Sequence, residues 1–371
     1  MRILTPPRSA LGTSATGRLR VRRTREDELG AAPSAGEANK SEAPRTTSPG
    51  RPARPTYRFI ANPYARNGRA QKKLAQLRVE LERRGVRYDL ALCEGLDHAR
   101  TLSEEANRSG YDVVVGVGGD GTINRVLNGF FDANGQRLSR ARMGAIHLGT
   151  SPDFCRSYGV PVDVPAAVDA LLAGVARQIR VGKVVYETRP AQAGGNAPRT
   201  AFFGCCANIG LGAWLARLAN GGIRKYAGDF LGTFACLLRV LLQYRPQTTN
   251  LELDGRPQQL EKVYNIAVGK THYIASGIKV RHELREQDDR LYVICLRDLT
   301  WRRLGQVLWT LYSGKPIASG RCFSLAYAKN LYLDAVGAPP EVEFDGDPAG
   351  WCPCRIETAP DSLDLIVGGT S

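Results

Sequence analysis

Past residue 56 the apolar positions follow two successive rhythms, and the switch between them divides most of the chain. Tyr57-Arg58-Phe59-Ile60-Ala61 is a short apolar run closed by Asn62-Pro63, which reads as a strand. Leu74, Leu77 and Leu81 then recur at helical spacing between Arg69 and Arg84, until Gly85 stops the pattern. The unit repeats as a strand over Tyr88–Leu92, a helix from about Asp97 to Ser109, and a run from Asp112 to Val117 apolar enough to be buried on both faces. A helix over Thr122–Phe131, a strand over Met143–His147 and a helix containing Ala166–Leu172 continue it. Strands alternating with helices predict a three-layer α/β domain, in which right-handed crossovers join a parallel sheet.

From about Arg180 strand-like runs dominate: Lys183–Thr188, Ala201–Asn208, Asn250–Leu253, Val263–Val268, Leu291–Leu296 and Cys322–Leu333, with helices near 224–243 and 301–312 interposed. A second, mainly β, sandwich-like domain is therefore expected. Residues 1–55 are rich in Pro, Ser, Thr, Gly, Ala and Arg and lack periodicity, so they cannot bury enough surface to offset ordering entropy. The expected organisation is a disordered basic tail (1–55), an α/β nucleotide-binding domain (56–180), a β domain (181–358), and a closing segment (359–371) free to return to the first domain.

Composition narrows the function classes. The net charge of +15 favours an anionic partner, but Arg18, Arg20, Arg22, Arg23 and Arg25 place much of the excess in the tail. Each such residue contributes about 1 kcal/mol near an acidic membrane, so an electrostatic tether is one use of the tail. No apolar run approaches the roughly 18 to 20 residues that cross a bilayer, and the reading is a cytoplasmic protein with peripheral contact to anionic membrane. Nucleic acid is not expected, because no basic and aromatic platform accompanies the charge. Nine scattered cysteines suit reduced core residues, and the pair Cys352-x-Cys354 lacks the further ligands that zinc requires.

The chemistry concentrates at Gly118-Gly119-Asp120-Gly121-Thr122-Ile123-Asn124, between a buried strand and a helix. Residues 116–121 satisfy G-x-G-x-x-G, yet two strand-helix units precede them and no acid closes the next strand, as a dinucleotide fold would require. Glycines without Cβ let backbone N–H groups close on phosphate oxygens, and the following helix N-terminus adds partial positive charge. Asp120 can hold magnesium or orient a hydroxyl. Leu148-Gly149-Thr150 and then Asp153-Phe154 follow 25 residues on.

These strings resemble the diacylglycerol kinase catalytic family, which includes bacterial lipid kinases and sphingosine kinases and shares its phosphate turn with NAD kinases. The resemblance spans about 57–368 and adds Asn62-Pro63, Arg156, Asn208-Ile209-Gly210-Leu211-Gly212, Val268-Gly269-Lys270 and Phe344-Asp345-Gly346-Asp347. It implies ATP and Mg2+ as cofactors and a lipid hydroxyl, on diacylglycerol or a sphingoid-type lipid, as acceptor. The nucleotide would contact Asn62, Pro63, Arg66, Gly118, Gly119, Asp120, Gly121, Thr122, Asn124 and Thr150, with Asp120 the candidate metal ligand. Asp153 and Arg156 would face the substrate, and Asp347, with Asp345 behind it, would supply the base. Asp345-Gly346-Asp347 also reads as a plain turn between two strands.

Four departures from the family pattern fall in the site: Arg125 replaces a usual Glu, Ser151-Pro152 a usual Gly-Asn, Cys93 a usual Thr, and Asp347 a usual Glu. The family's structural magnesium site is only partly kept in Gln287-Asp288-Asp289-Arg290-Leu291-Tyr292. They leave open a pseudokinase that binds nucleotide or lipid, and a kinase of a soluble hydroxyl acceptor. Two segments, from Arg224-Lys225-Tyr226 and from Trp301-Arg302-Arg303-Leu304, combine cations with apolar helical faces; they suit a membrane interface or packing on a sheet.

Overall fold

A computed structural model describes residues 55–63, 69–188, 198–220, 243–274, 278–314 and 320–369. Strand β1 (Tyr57–Ala61) pairs in parallel with β2 (Tyr88–Leu92) on one side and with β3 (Val113–Gly118) on the other. Every residue of β3 is buried, because a valine run without polar neighbours is stable only in a sheet covered on both faces. Helices α1 (Arg69–Arg83) and α2 (Leu96–Arg108) follow β1 and β2, and α3 (Asp120–Asn128) follows β3. Strand β4 (Arg142–His147) continues the parallel ladder beyond β3. Next come a short helix α4 (Asp153–Tyr158), α5 (Val164–Ala173) and strand β5 (Ala176–Ile179).

Two apolar clusters cover the two faces of this sheet. Leu74, Leu77 and Leu81 of α1 meet Val168 and Leu171 of α5 on one face, and Ala99, Leu102, Ile123, Val126 and Leu127 of α2 and α3 fill the other. Three layers result.

The second sheet begins with β6 (Gly182–Glu187), β7 (Pro198–Phe203) and β8 (Cys206–Gly210), after which α6 (Leu211–Asn220) leads away. Strands β9 (Gln247–Leu253) and β10 (Arg256–Gly269) form a hairpin, followed by the short pair β11 (Tyr273–Ile274) and β12 (Ile278–Lys279). Strand β13 (Leu291–Arg297), helix α7 (Trp301–Tyr312) and strands β14 (Phe323–Ala328), β15 (Asn330–Val336), β16 (Glu341–Phe344) and β17 (Asp347–Thr358) complete it. Strand β10 is long enough to pair with β9 along its first half and with β8 and β13 along its second, bending near Lys262, whose φ is +51°. The sheet thereby curls over a core that includes Val184, Phe203, Ile209, Val268, Leu333 and Phe344. The expected single run over Cys322–Leu333 is two strands with different partners, broken at Lys329, where Asp254 accepts from the backbone N–H groups of Lys329 and Asn330 at 3.0 and 2.9 Å. The helix expected near 224–243 lies outside the described residues apart from its end.

Strand β18 (Leu363–Ile366) runs back into the first sheet, between β4 and β5, giving the order β2-β1-β3-β4-β18-β5. The path reverses between β1 and β3, so a crevice opens at their carboxyl ends, where open α/β sheets hold ligands. Asn62 and Gly118 stand there, and the backbone bonds Asn62 N–H to Val117 O at 3.0 Å and Leu148 N–H to Gly118 O at 2.7 Å tie the loops together.

Candidate active site

The turn after β3 is built on close approach. At Gly149 a Cβ would lie 2.6 Å from the Cα of Gly119, so the loop after β4 touches the phosphate turn only because position 149 is glycine. At Gly121, the second residue of α3, a Cβ would lie 2.9 Å from Oδ2 and 3.1 Å from Oδ1 of Asp347. Residues 226 positions apart thus meet, carboxylate against backbone, at the N-terminus of α3.

The polar face of α3 seats the helix on the second sheet. The Asn124 amide donates to Phe202 O at 2.9 Å and to Asp345 Oδ2 at 2.7 Å, while Asn128 exchanges hydrogen bonds with the backbone of Phe202 at 2.7 and 2.8 Å. Phe131 and Phe202 stack beside them with centroids 4.8 Å apart. Buried amides in a helix are costly unless satisfied, and these four bonds satisfy them.

Asp345 is fully engaged. Its carboxylate accepts from the backbone N–H groups of Gly204, Cys205 and Cys206 at 2.7, 2.9 and 3.1 Å, besides Asn124. Burial pushes its pKa up to about 6, and those four donors restrain the rise. The residue is left-handed, with φ of +49°, a conformation that Asp tolerates better than most and that the four bonds hold in place. Expected as the acid behind Asp347, it is placed as a clamp on the 204–206 backbone. Glu343, two residues earlier and missed in the sequence, is buried and accepts from Asn208 at 2.8 Å and from the Gly346 N–H; burial pushes it up to about 8. The alternation Glu341-Val342-Glu343-Phe344 gave no signal, because it sets both acids on the same face of the strand.

Asp347 opens β17 with little exposure and lies 3.8 Å from Nε of Arg125, whose Nη1 reaches Asp97 at 3.6 Å. Arg125, singled out as a charge reversal, therefore stands beside the candidate base. Asp120 Oδ2 accepts from the Asp153 N–H at 3.1 Å, joining the phosphate turn to the start of α4, and its Oδ1 lies 3.4 Å from Nδ1 of buried His147. His147 is a second residue that the pattern did not reveal, because it ends an apolar strand.

Of the remaining expected contacts, Asn62 donates to Thr122 Oγ1 at 3.3 Å, bringing the loops after β1 and β3 together. Pro63 follows it, Thr150 is exposed beside Gly149, and Asp153 is buried at the head of α4 with Ser151 Oγ donating to it at 3.2 Å. Arg156 is exposed one turn later, and Arg66 lies outside the described residues. Pro152 occupies the N-cap of α4, where no N–H is required. Asp120 Oδ1 is buried without a hydrogen-bond partner. Such an oxygen suits magnesium, which binds through one or two carboxylates plus substrate phosphates. Among the described residues no group of three His, Cys, Asp or Glu side chains forms a metal cluster. At the partly kept structural metal stretch, Asp288 pairs with Arg290 and Asp289 with Lys329, both at 2.7 Å.

Residues 56–184 match the family model described as the diacylglycerol kinase catalytic domain, and 208–367 match the YegS C-terminal NAD kinase beta sandwich-like domain. The two matches follow one another along the chain, the catalytic-domain model first and the sandwich-like model second, and they bear out the resemblance read from the sequence. It is 24% identical to a diacylglycerol kinase of Staphylococcus aureus strain RF122, over 83% of this chain and 91% of the relative. The value is also 24% for the diacylglycerol kinase of Staphylococcus carnosus, covering 81% and 90%. A solved structure described as a putative diacylglycerol kinase from Bacillus anthracis superposes with a TM-score of 0.62 at 19% identity, covering 84% of this chain and 97% of that one. In this chain, as in that fold, a parallel α/β sheet precedes a mainly β region. Among the described residues no helix is long and apolar enough to cross a membrane.

Proposed function

We propose that this chain transfers the γ-phosphoryl group of ATP to a lipid hydroxyl, with diacylglycerol as the default acceptor and a sphingoid-type lipid as the alternative. The observation that carries the reading is the contact of the Asp347 carboxylate with Gly121 at the head of α3. It sets a proton acceptor against the turn that would cradle phosphate. Asn62, Gly118–Thr122 and Thr150 border the nucleotide, and Asp120 would hold magnesium, which neutralises phosphate charge when bound. Phosphoryl transfer asks mainly for positioning and charge stabilisation. Asp347 takes the acceptor hydroxyl's proton as that oxygen bonds to the γ-phosphorus and the bond to the ADP oxygen breaks. Asp345 and Asn124 hold the two sheets in the register that keeps Asp347 there. Asp153 and Arg156 would face the acceptor side, and the net charge of +15 favours anionic membrane, where such an acceptor resides.

The test is purified protein with magnesium-ATP and a panel of lipid acceptors, beside Asp347→Ala. Labelled phosphate in a lipid product, reduced to a few per cent or less in the variant, is expected. The 3.8 Å pairing of Arg125 with Asp347 favours a second reading, a nucleotide- or lipid-binding protein with impaired transfer. Nucleotide binding without transfer to any acceptor selects it.

A further inference from the structure

A second polar cavity, of about 70 Å³, lies away from the phosphate turn where the end of α4 meets the segments after β5, after β10 and before β13. Tyr158, Arg180, Lys270, His272, His282 and Glu286 contribute to its wall. Its charge is lopsided. Lys270 is only 9% exposed, and its ammonium donates to the main-chain oxygens of Asp288 and Arg290, not to a carboxylate. Arg180 donates to Pro360 O at 2.8 Å, and its Nε is buried with no hydrogen-bond partner. The one acid in the wall, Glu286, is already bound to Arg177 at 2.7 Å.

The histidines respond to this field. Their rings stack with centroids 4.1 Å apart, and the Leu284 N–H donates to His282 Nδ1, so the neutral ring carries its proton on Nε2. Burial, then the positive charges of His272 and Lys270, press the His282 pKa down to about 4. Burial also lowers Lys270 to about 8. Buried charges are ordinarily paired, yet the hydrogen bonds of both cations here go to main-chain oxygens, and Asp288 and Asp289 act on Lys270 only as neighbouring charges. A water takes about 30 Å³ of liquid, so the enclosure has room for about two waters or one tetrahedral oxyanion.

We propose that this cavity binds a phosphate-class oxyanion, gripped by Lys270 and Arg180. The ligand is free inorganic phosphate or the phosphomonoester end of a larger molecule; the chemistry of recognition is the same. Helix α4 links the cavity to the phosphate turn, because its first N–H donates to Asp120 and its last residues line the cavity.

The experiment is calorimetric titration of the full chain with inorganic phosphate at pH 7, against chloride at equal ionic strength. A saturating non-hydrolysable ATP analogue is present to cover the phosphate turn. One phosphate per chain is expected, with affinity falling at least about tenfold in Lys270→Met and in Arg180→Gln, the loss of a charged hydrogen bond. Lys270→Met also strips two bonds from the 288–290 backbone, so Arg180→Gln decides the matter if the first variant does not fold. No phosphate heat, or unchanged affinity in the folded variants, overturns the proposal. A parallel titration with soluble short-chain phosphatidic acid separates the sources: competition with phosphate assigns a phosphomonoester end group, and binding of inorganic phosphate alone assigns the free ion.

Discussion

Replacing Gly121 with Ala separates the activity of this chain from its stability. The new Cβ would start 2.9 Å from Asp347 Oδ2 and 3.2 Å from Cγ. Ordinary contact begins near 3.4 Å, so the carboxylate must retreat by roughly half an ångström. A misplacement of about 1 Å at a reacting group costs on the order of 10²-fold in rate, and half of that corresponds to about tenfold. Stability moves the other way or not at all, because Ala in a helix gains about 0.5 to 1 kcal/mol over Gly, offsetting the displaced carboxylate. The assay is steady-state transfer from ATP to lipid, paired with urea unfolding followed by circular dichroism. The expected result is kcat down about tenfold, with the unfolding free energy within about 1 kcal/mol of the parent. Unchanged kcat would show that Asp347 has no role at the turn, and a loss of several kcal/mol would show that Gly121 is there for packing alone.

Other outcomes follow from the same geometry. Asp347→Asn keeps the shape and removes the base, so kcat should fall by about 10² to 10⁴ while nucleotide affinity, read by fluorescence titration, stays within a few fold. Asn124→Ala removes the donor shared by Phe202 O and Asp345 and leaves buried acceptors short, at a cost of about 2 to 4 kcal/mol in urea unfolding; an effect under 0.5 kcal/mol would dismiss the helix-to-sheet seam. Glu343 has its pKa raised to about 8, so between pH 6.5 and 8 the folded chain holds a proton that the unfolded chain has released. Stability should fall across that window as pH rises, by about 1.4 kcal/mol per pH unit, and Glu343→Gln should flatten the slope; an identical slope in the variant refutes the assignment. Arg125→Gln removes the cation beside Asp347 and should alter kcat at least threefold at saturating ATP, which a pH-rate comparison with the parent checks.

The parts of this fold that announce themselves are those whose burial is local. The valine run of β3 and the leucine spacing of α1 predict their own environment, and each lies within two residues of its expected ends. The phosphate turn was legible for a related reason, since three glycines in four residues are useful only where backbones approach closely. Strand β17 was not, because Pro348, Gly350 and Pro353 argue against a strand; alternate residues Cys352, Cys354 and Ile356 face the core and outweigh them. Helix α4 is too short to show a period, and β5 exposes three of its four residues. The functions of Asn124 and Asp345 depend on a partner 221 positions away, and no local window contains both. Asp345 itself was visible as a candidate, but its role as a clamp on three backbone N–H groups was not.

Strand β18 carries a practical implication for anyone dividing the gene. It is an internal member of the first sheet, with β4 parallel on one side and β5 antiparallel on the other. A fragment ending at the boundary of the catalytic-domain match, residue 184, would carry an open slot where Leu363, Leu365 and Ile366 belong, and unpaired strand edges on both sides of it. The two family segments are consecutive in the gene but interlaced in the folded protein, so an expression product that behaves well must reach at least residue 366.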